Sequence, residues 1–261
     1  MDWIRLILLL LLYVRYTQST TSHGNQGFNC SFEDGFCSWT QREGDGPNWL
    51  LGAGSTAVSR VTGPGADRFG NETGMFLYCA VSGDDTPIID SPVVEVNEED
   101  GVDLCLSFWY SMYGRYIGGL EVYTYTATNA TNGTVKVFSA RGPQTGRRGW
   151  LHGLVDIRDV TSDMRLYFQG LSGVNRAIVA IDDINLQTGV CERDTSFNCN
   201  FEEGSLCGWV KPPTGSDDTD WLLQRGATYT PKTGPIVDHT TGSTYVLYTV
   251  TMLYIHSGKF T

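Results

Sequence analysis

Hydrophobic and polar positions alternate in short runs along most of this chain. In Leu104-Cys105-Leu106-Ser107-Phe108-Trp109-Tyr110-Ser111-Met112, a period of two puts Leu104, Leu106, Phe108, Tyr110 and Met112 on one face of a strand. The same pattern, bounded by Gly, Pro, Asn and Asp, predicts strands over Met75 to Val81, Leu104 to Tyr113, Leu120 to Thr126, Trp150 to Ile157, Met164 to Gln169 and Ala177 to Leu186. A short helix fits only around Arg158 to Asp163. Strand faces this apolar need a second layer to cover them, so the predicted class is an all-β sandwich.

The chain also repeats itself. Phe28-Asn29-Cys30-Ser31-Phe32-Glu33-Asp34-Gly35 returns as Phe197-Asn198-Cys199-Asn200-Phe201-Glu202-Glu203-Gly204, and Trp49-Leu50-Leu51, Thr62-Gly63-Pro64 and Leu77-Tyr78 return as Trp221-Leu222-Leu223, Thr233-Gly234-Pro235 and Leu247-Tyr248. Self-similarity of this kind identifies the unit of folding. The first unit spans 28–191, and the polar stretch Glu192 to Ser196 separates it from a second unit at 197–261. That second unit has no counterpart of Cys105 or Cys191 and departs from the first beyond Val250, so it reads as a truncated copy.

Composition places the chain outside the cell. The uncharged run Leu6 to Val14, followed by small polar residues, is too short for a membrane span of roughly 20 residues and reads as a secretory signal over 1–22. No later run is long enough to span, although a longer parent protein can carry an anchor. Seven cysteines and the Asn-x-Ser/Thr acceptors at Asn29, Asn71, Asn129 and Asn132 suit an oxidising, glycosylating compartment. Asp plus Glu at 29 against Lys plus Arg at 18 gives a net charge of -11, which disfavours nucleic acid and anionic lipid.

Cys30, Cys37, Cys79, Cys105 and Cys191 leave the first unit with an odd cysteine, and the repeat singles it out. Cys30 and Cys37 return as Cys199 and Cys207, whereas Cys79 aligns with Thr249. The simplest pairing joins Cys30 to Cys37 and Cys105 to Cys191, with other connectivities still open. Loop entropy would make the short bridge worth roughly 2.5 kcal/mol and the long one about 4.6 kcal/mol. Cys79 shares a strand face with Met75 and Leu77, which predicts burial; an intermolecular disulfide is the alternative.

Cys30-x-Phe32-Glu33-Asp34-Gly35-x-Cys37-x-Trp39, Trp49, Thr62-Gly63-Pro64, Gly74-Met75-Phe76-Leu77-Tyr78, Ser91-Pro92, the run Cys105 to Gly114, Trp150 and Ile181-Asp182-Asp183-Ile184, closing at Cys191, together resemble the MAM domain. This extracellular module is named after meprin, a neuropilin-type antigen and a receptor tyrosine phosphatase. The resemblance implies a jelly-roll β-sandwich of two antiparallel sheets, here followed by a partial second copy, and disulfides that follow the simplest pairing. It also implies a role in adhesion and receptor association. One departure lies at Asp67-Arg68-Phe69-Gly70-Asn71, where Asp238-His239-Thr240-Thr241-Gly242 of the second copy is closer to the family's loop.

Candidate chemistry is sparse. His23, His152, His239 and His256 are far apart, with no His-Glu-x-x-His and no Gly-x-Ser-x-Gly, so no catalytic centre is expected. Glu33, Asp34, Asp67, Asp182 and Asp183 supply hard oxygens, and some family members hold a cation near such positions. Glu33, Asp67 and Asp183 are therefore candidate ligands for a structural Ca2+, with turn capping as the rival role. On a regular strand Asp182 and Asp183 point to opposite faces, so at most one of them would join a given site. Tyr113, Arg115 and Tyr116 end a core strand with residue types favoured at interface centres. The expected function is non-catalytic recognition of an extracellular protein partner, or self-association, in a secreted or cell-surface setting. The rivals are an assembly module of a larger meprin-like ectoenzyme and a carbohydrate-binding jelly roll.

Overall fold

A computed structural model describes residues 27–44, 46–54, 62–96, 101–114, 116–127, 133–145, 149–173, 177–193, 199, 201, 221–225 and 245–249. Among these the regular elements are all strands: β1 (Thr40–Gln41), β2 (Leu50–Ala53), β3 (Met75–Val81), β4 (Ile88–Asp90), β5 (Val102–Ser111), β6 (Gly119–Thr126), β7 (Val135–Arg141), β8 (Leu151–Val160), β9 (Met164–Leu171), β10 (Ala177–Thr188), β11 (Trp221–Arg225) and β12 (Tyr245–Thr249). They build one five-stranded sheet ordered β1-β4-β9-β6-β7, a second ordered β2-β3-β10-β5-β8, and the separate pair β11-β12. Neighbours pair antiparallel, and sheet neighbours such as β3 and β10 are distant in the chain, which is the jelly-roll arrangement.

The two five-stranded sheets enclose one core. Leu104, Leu106, Phe108, Tyr110 and Met112 are all buried in it, so the period-two reading of this segment holds residue by residue. Phe108 sits between the sheets, with ring centroids 4.9 Å from Phe168 of β9 and 5.1 Å from Phe138 of β7. Edge-to-face packing of this kind adds about 0.5–1.5 kcal/mol per pair beyond area burial. The buried indoles also satisfy their polar atoms: Trp39 Nε1 donates to Phe28 O at 2.8 Å and Trp49 Nε1 to Pro87 O at 3.1 Å.

Two covalent ties close the module, Cys30 to Cys37 and Cys105 to Cys191. The first holds the entry of the chain against the last long strand, where Cys30 and Ile184 exchange backbone hydrogen bonds of 2.9 Å in both directions. The second joins the middle of β5 to the segment that leaves β10. Cys79 is the free cysteine among the described residues, wholly buried, with burial pushing its thiol well above the ordinary range.

The structure departs from the sequence reading in three places. Arg158 to Asp163 is not helical: β8 continues to Val160, because the Asp103 carboxylate takes both Arg158 Nη1 at 2.9 Å and Asp159 N at 3.1 Å and holds that stretch against β5. Strands β1, β2, β4 and β7 carry too little alternation to be predicted; three are very short and β7 is an exposed edge. Third, a bulge in β10 between Asp182 and Asn185 breaks the alternation there.

The repeat is visible in the backbone. Leu50 faces Tyr78 and Leu51 faces Leu77 across β2-β3, and Leu222 faces Tyr248 and Leu223 faces Leu247 across β11-β12. Phe32 and Phe201 share a left-handed backbone, φ 60° and 62°. Cys199 is disulfide-bonded, while Cys207 and the 1–22 signal lie outside the described residues.

Gly153 lies opposite Phe108 in the β5-β8 register, and a Cβ there would fall 2.5 Å from the phenyl Cζ. Gly153→Ala is expected to lower stability by about 1–3 kcal/mol through overpacking, read as a shift in the urea midpoint with an unchanged slope. Burial of Cys79 predicts that a native sample treated with iodoacetamide leaves the Cys79 peptide unlabelled, whereas unfolding in guanidinium labels it. Native labelling, or a reductant-sensitive dimer lost in Cys79→Ser, would contradict the buried placement.

Candidate functional site

Part of the outer face of the β2-β3-β10-β5-β8 sheet is shielded from water. Alternation sends Phe76, Trp109 and Ala180 outward, and these pack with Trp150 into a second, smaller apolar cluster. The described part of the connection between β2 and β3, from Thr62 onward, covers it. Thr62 Oγ1 donates to Tyr113 O at 3.0 Å and accepts from Ile178 N at 3.0 Å, while Trp150 Nε1 donates to Ala66 O at 2.9 Å.

Past Ala66 this connection turns tightly. Asp67 N donates to Asn71 O at 3.0 Å and Asp67 Oδ1 accepts from Asn71 N at 2.7 Å, which closes a loop whose tip is Arg68 and Phe69. The Arg68 guanidinium pairs with the Asp183 carboxylate and stacks on two rings, 3.8 Å from the Phe69 centroid and 4.9 Å from that of Trp109. Trp109 in turn stacks with His152 at 4.8 Å and 10°. Phe69 is 62% exposed. Beside this stack opens a cleft of ≈ 400 Å³ lined by Asn29, Ser31, Arg68, Ser107, Trp109 and Asp183.

The β10 bulge makes the site. Asp182 faces Trp109 and Asn185 faces Ser107, so β10 advances by one residue more than β5 between those pairs, and Asp183 takes φ 43°. The extra residue leaves both carboxylates on the outer side, contrary to the alternation expected of a regular strand. Asp182 is buried under the loop, and Asp183 reaches Arg68.

A profile described as MAM domain, meprin/A5/mu, matches residues 30–192 and 199–259. The chain belongs to the MAM domain family. It is 29% identical over 210 residues to human MAM domain-containing glycosylphosphatidylinositol anchor protein 2, covering 74% of this chain and 21% of that protein. It is 26% identical over 231 residues to thyroid hormone-induced protein B of Xenopus laevis, covering 84% of this chain and 31% of that protein. The chain therefore spans well under half the length of these relatives. Among solved structures, the K1 cleaved adhesin domain of Lys-gingipain from Porphyromonas gingivalis is similar with a TM-score of 0.46 at 18% identity, covering 62% of this chain and 97% of that one.

Within the first MAM module the carboxylates singled out from sequence each have a hydrogen-bond or ion-pair partner. Glu33 Oε1 accepts from Met75 N at 3.0 Å, Asp67 Oδ1 closes its own loop, and Asp183 is committed to Arg68. The described residues do not gather three or more His, Cys, Asp or Glu side chains into a group that could hold a metal ion, so these three carboxylates do not fit a cation cage as placed. Tyr116 is exposed and Tyr113 half-buried, while Arg115 lies outside the described residues. Asn71 is exposed, its Oδ1 accepting from Thr73 N at 3.0 Å and Thr73 Oγ1 at 2.8 Å, and Asn29 Oδ1 accepts from Leu186 N at 3.0 Å. Asn129 and Asn132 lie outside the described residues.

The grouping of Arg68, Phe69, Trp109 and His152 escaped the sequence reading. A signal existed in the departure of Arg68-Phe69 from the MAM loop pattern, and in Trp109, an outward tryptophan on a strand whose other face is core. Loss of solvation, and then the Arg68 charge, lower the His152 pKa.

Burial and then the neighbouring Asp183 charge push the Asp182 carboxyl up to about 8, against a restraining hydrogen bond from Asp183 N–H. An acid whose folded pKa is raised keeps its proton in the native state where the unfolded chain has lost it. Its contribution is then fully present below about pH 4 and declines as pH rises through 8. In urea unfolding with EDTA present, Asp182→Asn is expected to match the parent near pH 4 and to exceed it by at least about 1 kcal/mol at pH 8.5, a pKa unit being worth about 1.4 kcal/mol. A parallel pH profile for the two proteins would refute the assignment.

Proposed function

We propose that this chain is a non-catalytic recognition protein of the extracellular space or cell surface, and that its first MAM module binds a partner protein through the Arg68, Phe69 and Trp109 surface. The observation that carries this reading is Phe69, a large apolar ring 62% exposed at the tip of a loop closed by its own hydrogen bonds. Arg68 fixes the position of that ring, and is itself held by Asp183 and Trp109. Exposed aromatic and arginine side chains are the residue types that dominate interface energetics, and a held conformation reduces the ordering cost of binding. The adjoining cleft gives a partner side chain somewhere to insert.

The setting agrees. An apparent secretory signal, two bridges in the first module and the glycosylation acceptors suit export, and the human relative is by name glycosylphosphatidylinositol-anchored. Assembly through a Cys79 disulfide is disfavoured, because that thiol is enclosed by the core.

The test uses the full secreted chain displayed on beads and offered to identical beads or to cells stripped of heparan sulfate. Clumping would identify self-association, and cell capture a heterophilic partner. Phe69→Ala is expected to weaken whichever contact occurs by about 30-fold or more, the loss of a residue worth at least about 2 kcal/mol, while Tyr116→Ala leaves it within threefold. The reading fails if the parent shows neither contact, or if Tyr116→Ala abolishes it and Phe69→Ala does not.

A further inference from the structure

The outer face of the other sheet, β1-β4-β9-β6-β7, carries an ordered array that the protein-recognition reading does not use. One register line across β4, β9, β6 and β7 places Asp90, Tyr167, Tyr123 and Lys136 side by side. Tyr167 and Tyr123 stack at 4.9 Å and 15°. The Arg42 guanidinium lies 4.5 Å from the Tyr167 centroid and Lys136 Nζ 5.5 Å from that of Tyr123. The row therefore runs cation, ring, ring, cation across four strands, about 14 Å at ordinary strand spacing.

The charges in this array are sorted by depth. Asp90 accepts from Arg42 Nε and from Tyr125 OH, each at 2.9 Å. Glu121 accepts from Tyr123 OH at 2.6 Å, Lys136 Nζ at 2.7 Å and Arg141 Nη2 at 2.6 Å. The carboxylates lie beneath, with side chains 13% and 3% exposed, whereas Arg42, Lys136 and Arg141 are 32%, 43% and 53% exposed. Burial alone would raise the Glu121 pKa, but hydrogen bonds from Lys136 and Tyr123 and the charge of Arg141 hold it below the usual range. Arg165, half-buried on β9, adds a further cation, anchored to Ser91 O at 2.6 Å. In a chain of net charge -11, solvent meets cations here.

The kind of partner follows from what this face lacks. Each ring of the tyrosine stack already meets a neighbouring ring and a cation, which leaves little face on which a neutral sugar could stack. Among the described residues of β4, β6 and β9 no large apolar side chain is exposed, and the exposed Val135 stands at the start of the edge strand β7, so the row lacks the apolar centre of a protein interface. What remains is a line of cations held in place before binding, which matches a linear polyanion. We propose that this face binds a sulfated glycosaminoglycan lying across the strands, its sulfate and carboxylate groups meeting Arg42, Arg165, Lys136 and Arg141.

The full secreted chain would be titrated with a heparin-derived octasaccharide, its fully desulfated counterpart and poly-glutamate, by calorimetry from 50 to 300 mM NaCl. Only the sulfated chain is expected to bind, with affinity falling steeply as salt rises. The double variant Lys136→Gln/Arg141→Gln is expected to weaken binding about tenfold at 100 mM NaCl and to flatten the salt dependence. Arg158→Gln/Arg193→Gln, which removes the same charge beside β8 of the opposite sheet, should leave it within twofold. Glu121→Gln removes an anion from beneath the row and should tighten binding severalfold, the reverse of what structural damage would do. No binding of the sulfated chain at 50 mM NaCl, equal loss in the two double variants, or weaker binding in Glu121→Gln would each overturn the proposal. Poly-glutamate binding as tightly would overturn it in favour of an acidic protein segment.

Discussion

Strand β10 sits between β3 and β5, and its hydrogen bonds to both hold the second sheet together while its bulge arranges the outer face. Its inward residues Val179, Ile181 and Leu186 are core, and Ile184 exchanges hydrogen bonds with Cys30 to fasten the start of the module. The Cys105 to Cys191 bridge then ties the exit from β10 back to β5. A strand secured at so many points can accommodate one extra residue. That residue turns Asp183 toward Arg68 and leaves Asp182 buried beside it, so the same element supports the sandwich and sets the electrostatics of the cleft.

The two outer faces use opposite physical solutions. On the second sheet a long connection lies over outward tryptophans, hides a carboxyl and leaves an exposed phenylalanine at its tip. Apolar contact is what that surface offers. On the first sheet nothing comparable covers the strands in the described residues, and the aromatic rings are consumed in a stack between cations. Charge is what this second surface offers, because Asp90 and Glu121 sit below their partners and do not meet solvent equally with them. A single sandwich can thus present an exposed apolar side chain on one face and a row of cations on the other without either disturbing the core between them.

Much of the fold was legible in the residues. The alternation from Leu104 to Met112 matches a buried face without exception, and the repeated Trp-Leu-Leu and Leu-Tyr segments reappear with the same strand register in both copies. Arg158 to Val160 extends instead of coiling because Asp103, far away in sequence, binds both Arg158 and Asp159 N–H, a contact that local sequence does not specify. The candidate site was less legible. Glu33, Asp67 and Asp183 have the oxygens of a cation site, yet each answers to a different donor, and the residues that do converge on Trp109 come from the β2-β3 loop, β5 and β8.

Taken alone, the sequence determined what depends on local chemistry: that the long alternating runs extend, that the face from Leu104 to Met112 turns inward, which cysteine falls outside the repeated framework, and that the opening of the unit recurs. These follow from backbone periodicity and covalent options, which neighbours in the chain specify. The tertiary structure alone decided the fate of the outward positions. Trp109 and Asp182 would meet water on a bare strand, and Tyr123 and Tyr167 would be isolated rings. Burial of the first two requires a loop from another part of the chain, and stacking of the second two requires strand partners that only the jelly-roll order brings together, so solvation and pairing are properties of the assembled sheets.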